Sequence, residues 1–161
     1  MPTATDQTAV TLEEYDFEES IGYWIILAAR SIQKALNDEL APHGITFRQS
    51  QVLGWLVLEG DLSQVDLAGR MLIEPTTLVG VLDRMERDKL ISRIASASDR
   101  RCKLIRINPE AGEVWSKVLK CARQVRARAS EGLTRRQIDT LRKALKTVLE
   151  NLGDDIQHRD H

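Results

Sequence analysis

The chain has 161 residues, 42% of them hydrophobic and only 4% aromatic, with a formal net charge of -1. That length and apolar content exclude a disordered tail protein and suit one domain, or a small domain with an oligomerisation arm, packed by aliphatic helix ridges. The longest apolar run, Tyr23 to Ala29, is far too short for a membrane-spanning helix.

Residues 1–15 read as a loose acidic tail, and helix signals follow it. Asp16 with Glu19 reads as a capping box. Ile21, Ile25, Ala28, Ile32, Leu36 and Leu40 then recur at threes and fours until Pro42, His43 and Gly44 stop the helix. The stretch GYWIILAA is apolar nearly all round, so two of its faces are expected to be covered. Thr46 with Gln49 opens a second helix ending near Gly60, and Ser63 with Asp66 caps a short third one. Glu74 and Pro75 then start a fourth, whose buried stripe is Leu78, Leu82 and Met85. Its opposite face is Thr76, Thr77, Gly80 and Arg84.

Ile91 to Ala95 and Cys102 to Ile107 read as two strands around an ASASDRR tip. Asn108 with Pro109 restarts helix, and Trp115, Val118, Ala122, Val125 and Ala129 form a heptad-like seam. Thr134 and Gln137 box the final helix, along which Ile138, Leu141, Leu145, Val148 and Leu152 repeat. These two terminal helices outlast the small core they can cover.

Charge is polarised along the chain. Asp6, Glu13, Glu14, Asp16, Glu18 and Glu19 fill the first twenty residues without a compensating Lys or Arg. Between Arg84 and Arg106 bases dominate instead, with Arg93, Arg100, Arg101 and Lys103 around the hairpin. A local field steers a polyanion, and screening over about 8 Å hides the acidic end from it.

Helix, helix, helix and a hairpin with a basic tip is the order of a winged helix-turn-helix. A short turn between the third and fourth helices pushes the polar start of the fourth toward a groove. Thr76 and Thr77 suit base edges and thymine methyls, and Arg84 a guanine or a phosphate. An Arg pair on a small tip suits a narrow, electronegative minor groove. Arg93 and Ser98 join the expected DNA-binding set, and Asp99 is expected to shape the tip by pairing with one of its arginines.

The stretch IEPTTLVGVLDRMERDKLISRIASASDRRCKLIRINPEAGEVW resembles the core of the MarR family of bacterial transcription regulators, closest to its SlyA branch through ISR, ASDRR and the spacing to Leu104 and Ile107. The resemblance spans about residues 20 to 152. It implies a mostly helical fold: three helices and a two-stranded β wing, with a dimerisation domain made by the first and last helices. It further implies an obligate homodimer on pseudo-palindromic double-stranded DNA, with Thr76 and Thr77 in the major groove and Arg100 and Arg101 in the minor groove. Repression is the expected sign of regulation, and a cytoplasmic, nucleoid-associated bacterial protein the expected setting. Two positions depart from the pattern: Gly80 stands where SlyA-like proteins carry a base-reading Arg, and Lys89 replaces the usual Gly before the first wing strand.

The chain thus divides into a dimerisation helix at 16–44, a winged helix-turn-helix at 45–107, C-terminal dimerisation helices at 108–156 and a loose end at 157–161. A dimer also follows physically, because the apolar first helix and the terminal seams would otherwise expose more contiguous apolar surface than a soluble monomer tolerates. Family members often answer to small aromatic or phenolic effectors, and Trp24, His43, Trp55 and Trp115 are candidates to line such a site. Cys102 and Cys121 are too few for a disulfide framework and read as free thiols rather than redox sensors. No catalytic motif, cofactor loop or metal-ligand spacing appears, so neither an enzyme nor a metal site is expected. The rival reading is a winged module whose basic tip docks an acidic protein.

Overall fold

The computed structural model describes residues 16–97 and 102–153. The first fifteen residues, the wing tip from Ser98 to Arg101 and the last eight residues lie outside them. Six α-helices and three strands follow in order: α1 (Ile21–Leu40), α2 (Phe47–Glu59), β1 (Leu62–Ser63), α3 (Gln64–Arg70), α4 (Pro75–Arg87), β2 (Ile91–Ala95), β3 (Lys103–Ile107), α5 (Ala111–Ala129) and α6 (Arg135–Asn151). A 3-10 turn, Ala41–His43, closes α1, and Gly44 leaves it in the left-handed region.

The strongest start signals in the sequence are present as bonds. The Gln49 amide donates to Thr46 Oγ1 at 3.2 Å while the Thr46 amide donates to the Gln49 side chain at 2.9 Å, and the same reciprocal box joins Thr134 and Gln137. Ser63 accepts from the Asp66 amide at 3.1 Å. The first helix differs from expectation. Its cap is Ser20, and Asp16 instead accepts from the Glu18 and Glu19 amides in the preceding turn, held by Trp24 Nε1 donating to the Glu18 carbonyl at 2.8 Å. An Asx turn and a helix cap share one short-range sequence pattern, so residue types alone do not separate them.

The expected hairpin has a third partner. Leu62 and Ser63 pair antiparallel with Ile105 and Leu104, giving the order β1-β3-β2. A two-residue strand that doubles as a helix cap carries no alternation to read. Its position is fixed from outside by Arg106, whose Nε donates to both carboxylate oxygens of Asp61 at 3.0 and 3.1 Å.

The main core lies inside the winged unit. Val52, Leu53 and Leu56 of α2, Leu67 and Ala68 of α3, Leu78, Leu82 and Met85 of α4, and Ile91 and Ile105 of the sheet are buried together. The apolar stripe read for α4 is therefore its inner face. A smaller cluster joins Leu40 and Ile45 to Val118 and Cys121, and Trp115 packs against both. In contrast, α6 buries no residue in the single chain, and Leu40 is the only buried residue of α1. Much of the apolar surface of α1 is thus uncovered by the described residues of one copy, with Trp24 55% exposed.

Lys89 takes the left-handed conformation that the missing glycine would adopt, at φ 60°. The Leu90 amide donates to the Met85 carbonyl at 2.9 Å and the Lys89 amide to Glu86 at 3.0 Å, a complete Schellman closure of α4. The departure at Lys89 therefore leaves the left-handed end of the helix in place, because the paired bonds hold a Lys where glycine is easier. Asn108 does not cap α5. Its side chain accepts from Ser92 Oγ at 2.7 Å and donates to the Lys89 carbonyl at 3.1 Å, fastening the wing to the end of α4. Lys89→Gly is expected to raise stability by about 1 kcal/mol, read as a melting temperature about 2–4 °C higher.

Candidate nucleic-acid interface

The α3–α4 unit is set by its turn. Leu72 is left-handed at φ 52° and 90% exposed, its amide donating to the Gly69 carbonyl and that of Ile73 to Ala68, which ends α3 sharply. Gln64 Nε2 then reaches across to the Pro75 carbonyl at 3.1 Å, tying the start of α3 to the start of α4. With Leu78, Leu82 and Met85 fully buried, the rest of α4 must face outward: Thr76, Thr77, Gly80 and Arg84 are all exposed.

A Cβ added at Gly80 would meet nothing within 4 Å, so packing does not demand the glycine. A helix-interior glycine costs about 1 kcal/mol relative to Ala, and its return here is a bare stretch of backbone beside Thr76, Thr77 and Arg84. Arg84 itself forms no ion pair among the described residues.

The bases around the wing do not share one fate. Arg93, expected among the DNA contacts, turns inward on β2: its guanidinium pairs with Glu86 and lies 2.6 Å from Asp83, both on α4, and its side chain is only 19% exposed. Burial lowers the guanidinium pKa, but the hydrogen bonds and charges of Asp83 and Glu86 outweigh it and raise the pKa overall. Arg106 is likewise matched by Asp61. Lys89 and Lys103 remain exposed. Sequence reasoning missed the clamp because Asp83, Glu86 and Arg93 are spaced along a helix and a strand whose relative placement only the fold provides. Ser98, Asp99, Arg100 and Arg101 lie outside the described residues.

The four residues expected to line an effector site do not share one cleft wall. Trp55 and Trp115 are half-buried against the core, Trp24 is held by Glu18, and His43 is exposed on the 3-10 turn. A cleft of about 530 Å³ opens instead between α1, α2 and the α3–α4 turn, with Ala29, Ile32, Phe47, Arg48 and Leu72 in its walls and none of those four residues. Large indoles seal core edges, which is where Trp55 and Trp115 are found.

Residues 43–101 match the sequence model of the MarR family. An uncharacterized HTH-type transcriptional regulator, YsmB of Bacillus subtilis (strain 168), is 26% identical over 130 residues, covering 81% of this chain and 86% of that protein. A cysteine-to-serine mutant of MarR from E. coli, solved complexed with operator DNA, superposes with a TM-score of 0.72 at 23% identity, over 84% of this chain and 99% of the other. CouR from Rhodococcus jostii RHA1, solved bound to p-coumaroyl-CoA, gives 0.71 at 24% identity, over 84% and 95%. The winged segment carries the MarR family's sequence pattern, and the chain around it has the fold of MarR.

Proposed function

We propose that this chain, a winged-helix protein of the MarR family, is a dimeric transcription regulator that reads pseudo-palindromic promoter DNA. One observation carries the reading: the apolar stripe of α4, Leu78, Leu82 and Met85, is fully buried, so its polar, N-terminal face stands exposed. In this reading the start of α4 enters the major groove. Thr76 and Thr77 meet base edges, Gly80 lets the backbone approach, and Arg84 takes a guanine or a phosphate. Arg100 and Arg101, with Ser98, meet the minor groove, Asp99 holds the tip's shape, and Lys89 and Lys103 add phosphate contacts. Two copies related by a two-fold axis read half-sites about 34 Å apart, and occupying a promoter in this way represses it. Arg93 acts in this scheme as the residue that positions the wing, not as a contact. The SlyA-like character of ISR and ASDRR belongs to the same proposal.

The cleft beside α1 supplies the regulatory half. Its apolar walls and the Arg48 guanidinium suit a small aromatic or phenolic anion, and the cleft touches both the α1 arm and the turn that sets α4. An occupant there can shift one against the other.

Selecting bound fragments from random DNA with the purified protein tests specificity, symmetry and half-site spacing together. A salt titration on the selected site then separates DNA binding from the rival protein-docking module. Regulator binding should weaken with a log–log slope of several units, whereas absence of selected sequence and a flat salt response would favour the rival. Replacing both Arg100 and Arg101 with Ala, which removes four cations from the two-copy assembly, should reduce that slope by up to about 3.6 while leaving the preferred sequence largely unchanged.

A further inference from the structure

We infer that the effector of this chain is an extended amphiphile: an apolar, ring-bearing head seated in the cleft beside α1, joined by a slender chain to a phosphate held on Arg30 and Lys34. This rests on the reading of that cleft as the regulatory site, and adds the class of molecule that fits it.

The cleft does not end at its apolar walls. A second cavity of about 350 Å³, lined by Arg30, Gln33, Lys34, Asn37 and Phe47, adjoins it, and Gln33 and Phe47 belong to both. Small-molecule sites measure about 300–1,000 Å³, so each cavity is of that size and a single-ring acid in the first leaves the second open. The two differ in chemistry. Ala29, Ile32, Met71, Leu72 and Ile73 give the first an apolar lining. Leu72 is held over it by the left-handed end of α3, almost wholly in solvent, so its side chain has apolar surface to offer an occupant.

Beyond Phe47 the second cavity is polar throughout. Arg30, Gln33, Lys34 and Asn37 recur at helical spacing along one exposed stripe of α1, and every one of these side chains ends in a nitrogen donor. At 1.5 Å per residue the stripe is about 10 Å long. Arg30 forms no ion pair among the described residues, and Lys34 pairs with Asp38 one turn along the same helix, an exposed contact of little strength. Two cations and two amides in a row call for a group that is rich in oxygen acceptors and negatively charged, which a phosphate supplies through charge-assisted hydrogen bonds. Phe47, half-buried between the cavities, gives the connecting chain an apolar edge to pass.

Calorimetric titration of the full-length protein without DNA tests this with four probes: benzoate, coenzyme A, benzoyl-coenzyme A, and a lysophosphatidic acid below its micelle concentration. Benzoyl-coenzyme A has both ends, and should bind at least about 100-fold tighter than benzoate and at least about tenfold tighter than coenzyme A. Arg30→Gln with Lys34→Gln should cost the thioester at least about tenfold more than it costs benzoate. Leu72→Gly, which suits the left-handed backbone, should instead weaken both severalfold. Tighter binding of the lysophosphatidic acid than of the thioester, lost in the same double variant, would support the inference and make the phosphate a lipid's instead of a soluble carrier's. Equal binding of coenzyme A and its thioester would overturn the inference, as would a double variant that holds the thioester like the wild type. Benzoate binding that is lost on Arg48→Gln would, in either case, leave the smaller-anion reading of the cleft standing. Failure of all four probes would overturn both.

Discussion

A chain carrying Leu141→Asp and Leu145→Asp is expected to sediment as a single copy and to lose at least about 100-fold in affinity for a two-half-site DNA, with its winged unit still folded. The reason lies in what α6 lacks. Its seventeen residues bury nothing within one copy, although Leu141 is 52% and Leu152 77% exposed along a continuous apolar ridge. A helix of this length is marginal in water by itself, so the amphipathic face needs a partner surface. The exposed Ile21, Trp24, Ile26 and Ile32 of α1 present a second such surface. Burying one leucine side chain stabilises by about 1.5–3 kcal/mol, and placing a carboxylate there reverses the sign. Two substitutions in each of two copies thus remove more than most associations can spare. Loss of pairing then turns one bivalent binding event into two weak ones, which is worth about 10²–10⁴ in affinity. The core of Leu53, Leu67 and Leu82 is untouched, so circular dichroism should still report a cooperative unfolding transition. A wild-type chain that already sediments as one copy at micromolar concentration would refute the pairing.

What could be read from the sequence follows a physical divide. Signals written into neighbouring residues appear as drawn: the Thr46–Gln49 and Thr134–Gln137 boxes, Pro75 at the first position of α4, and the Leu78, Leu82 and Met85 stripe. Each depends on a bond or a period within one turn or one helix. Features that depend on where two elements meet were hidden. Arg93 reads as one more wing base until α4 brings Asp83 and Glu86 against it, and Asn108 reads as a cap until Ser92 and the Lys89 carbonyl claim its amide. Lys89 shows a third kind of concealment. A backbone conformation normally signalled by glycine is imposed by two hydrogen bonds at the end of α4, so residue type was silent about it. The polar face of α4 was legible for the converse reason: once its apolar stripe is placed, helical geometry leaves Thr76, Thr77, Gly80 and Arg84 nowhere else to point.

Replacing Arg93 with Met is expected to lower stability by about 1–2 kcal/mol and DNA affinity by more than tenfold, and the way these losses are restored separates positioning from contact. The Arg93 side chain is largely buried, bonded to Asp83 and Glu86, and its own amide also donates to Glu86 at 3.3 Å, so it locks the first wing strand to α4. Hydrogen bonds to charged groups contribute about 1.5–3 kcal/mol, less here because Asp83 and Glu86 are 59% and 40% exposed, and removing the cation leaves two adjacent like charges to be carried by water alone. One of them, Asp83, adjoins Arg84, so the freed negative charge also lies where phosphate is proposed to approach. Adding Asp83→Asn and Glu86→Gln to Arg93→Met removes the stranded charges, and replacing an ion pair by neutral groups of similar volume is often close to neutral for stability. The triple variant should therefore recover most of its melting temperature and much of its DNA affinity. A residue that touched phosphate directly could not be replaced in this way: the triple variant would regain stability while its affinity stayed low and its salt slope stayed about two units shallower, one for each copy. Measuring both quantities on the single and triple variants decides between an Arg93 that holds the wing and an Arg93 that holds the DNA.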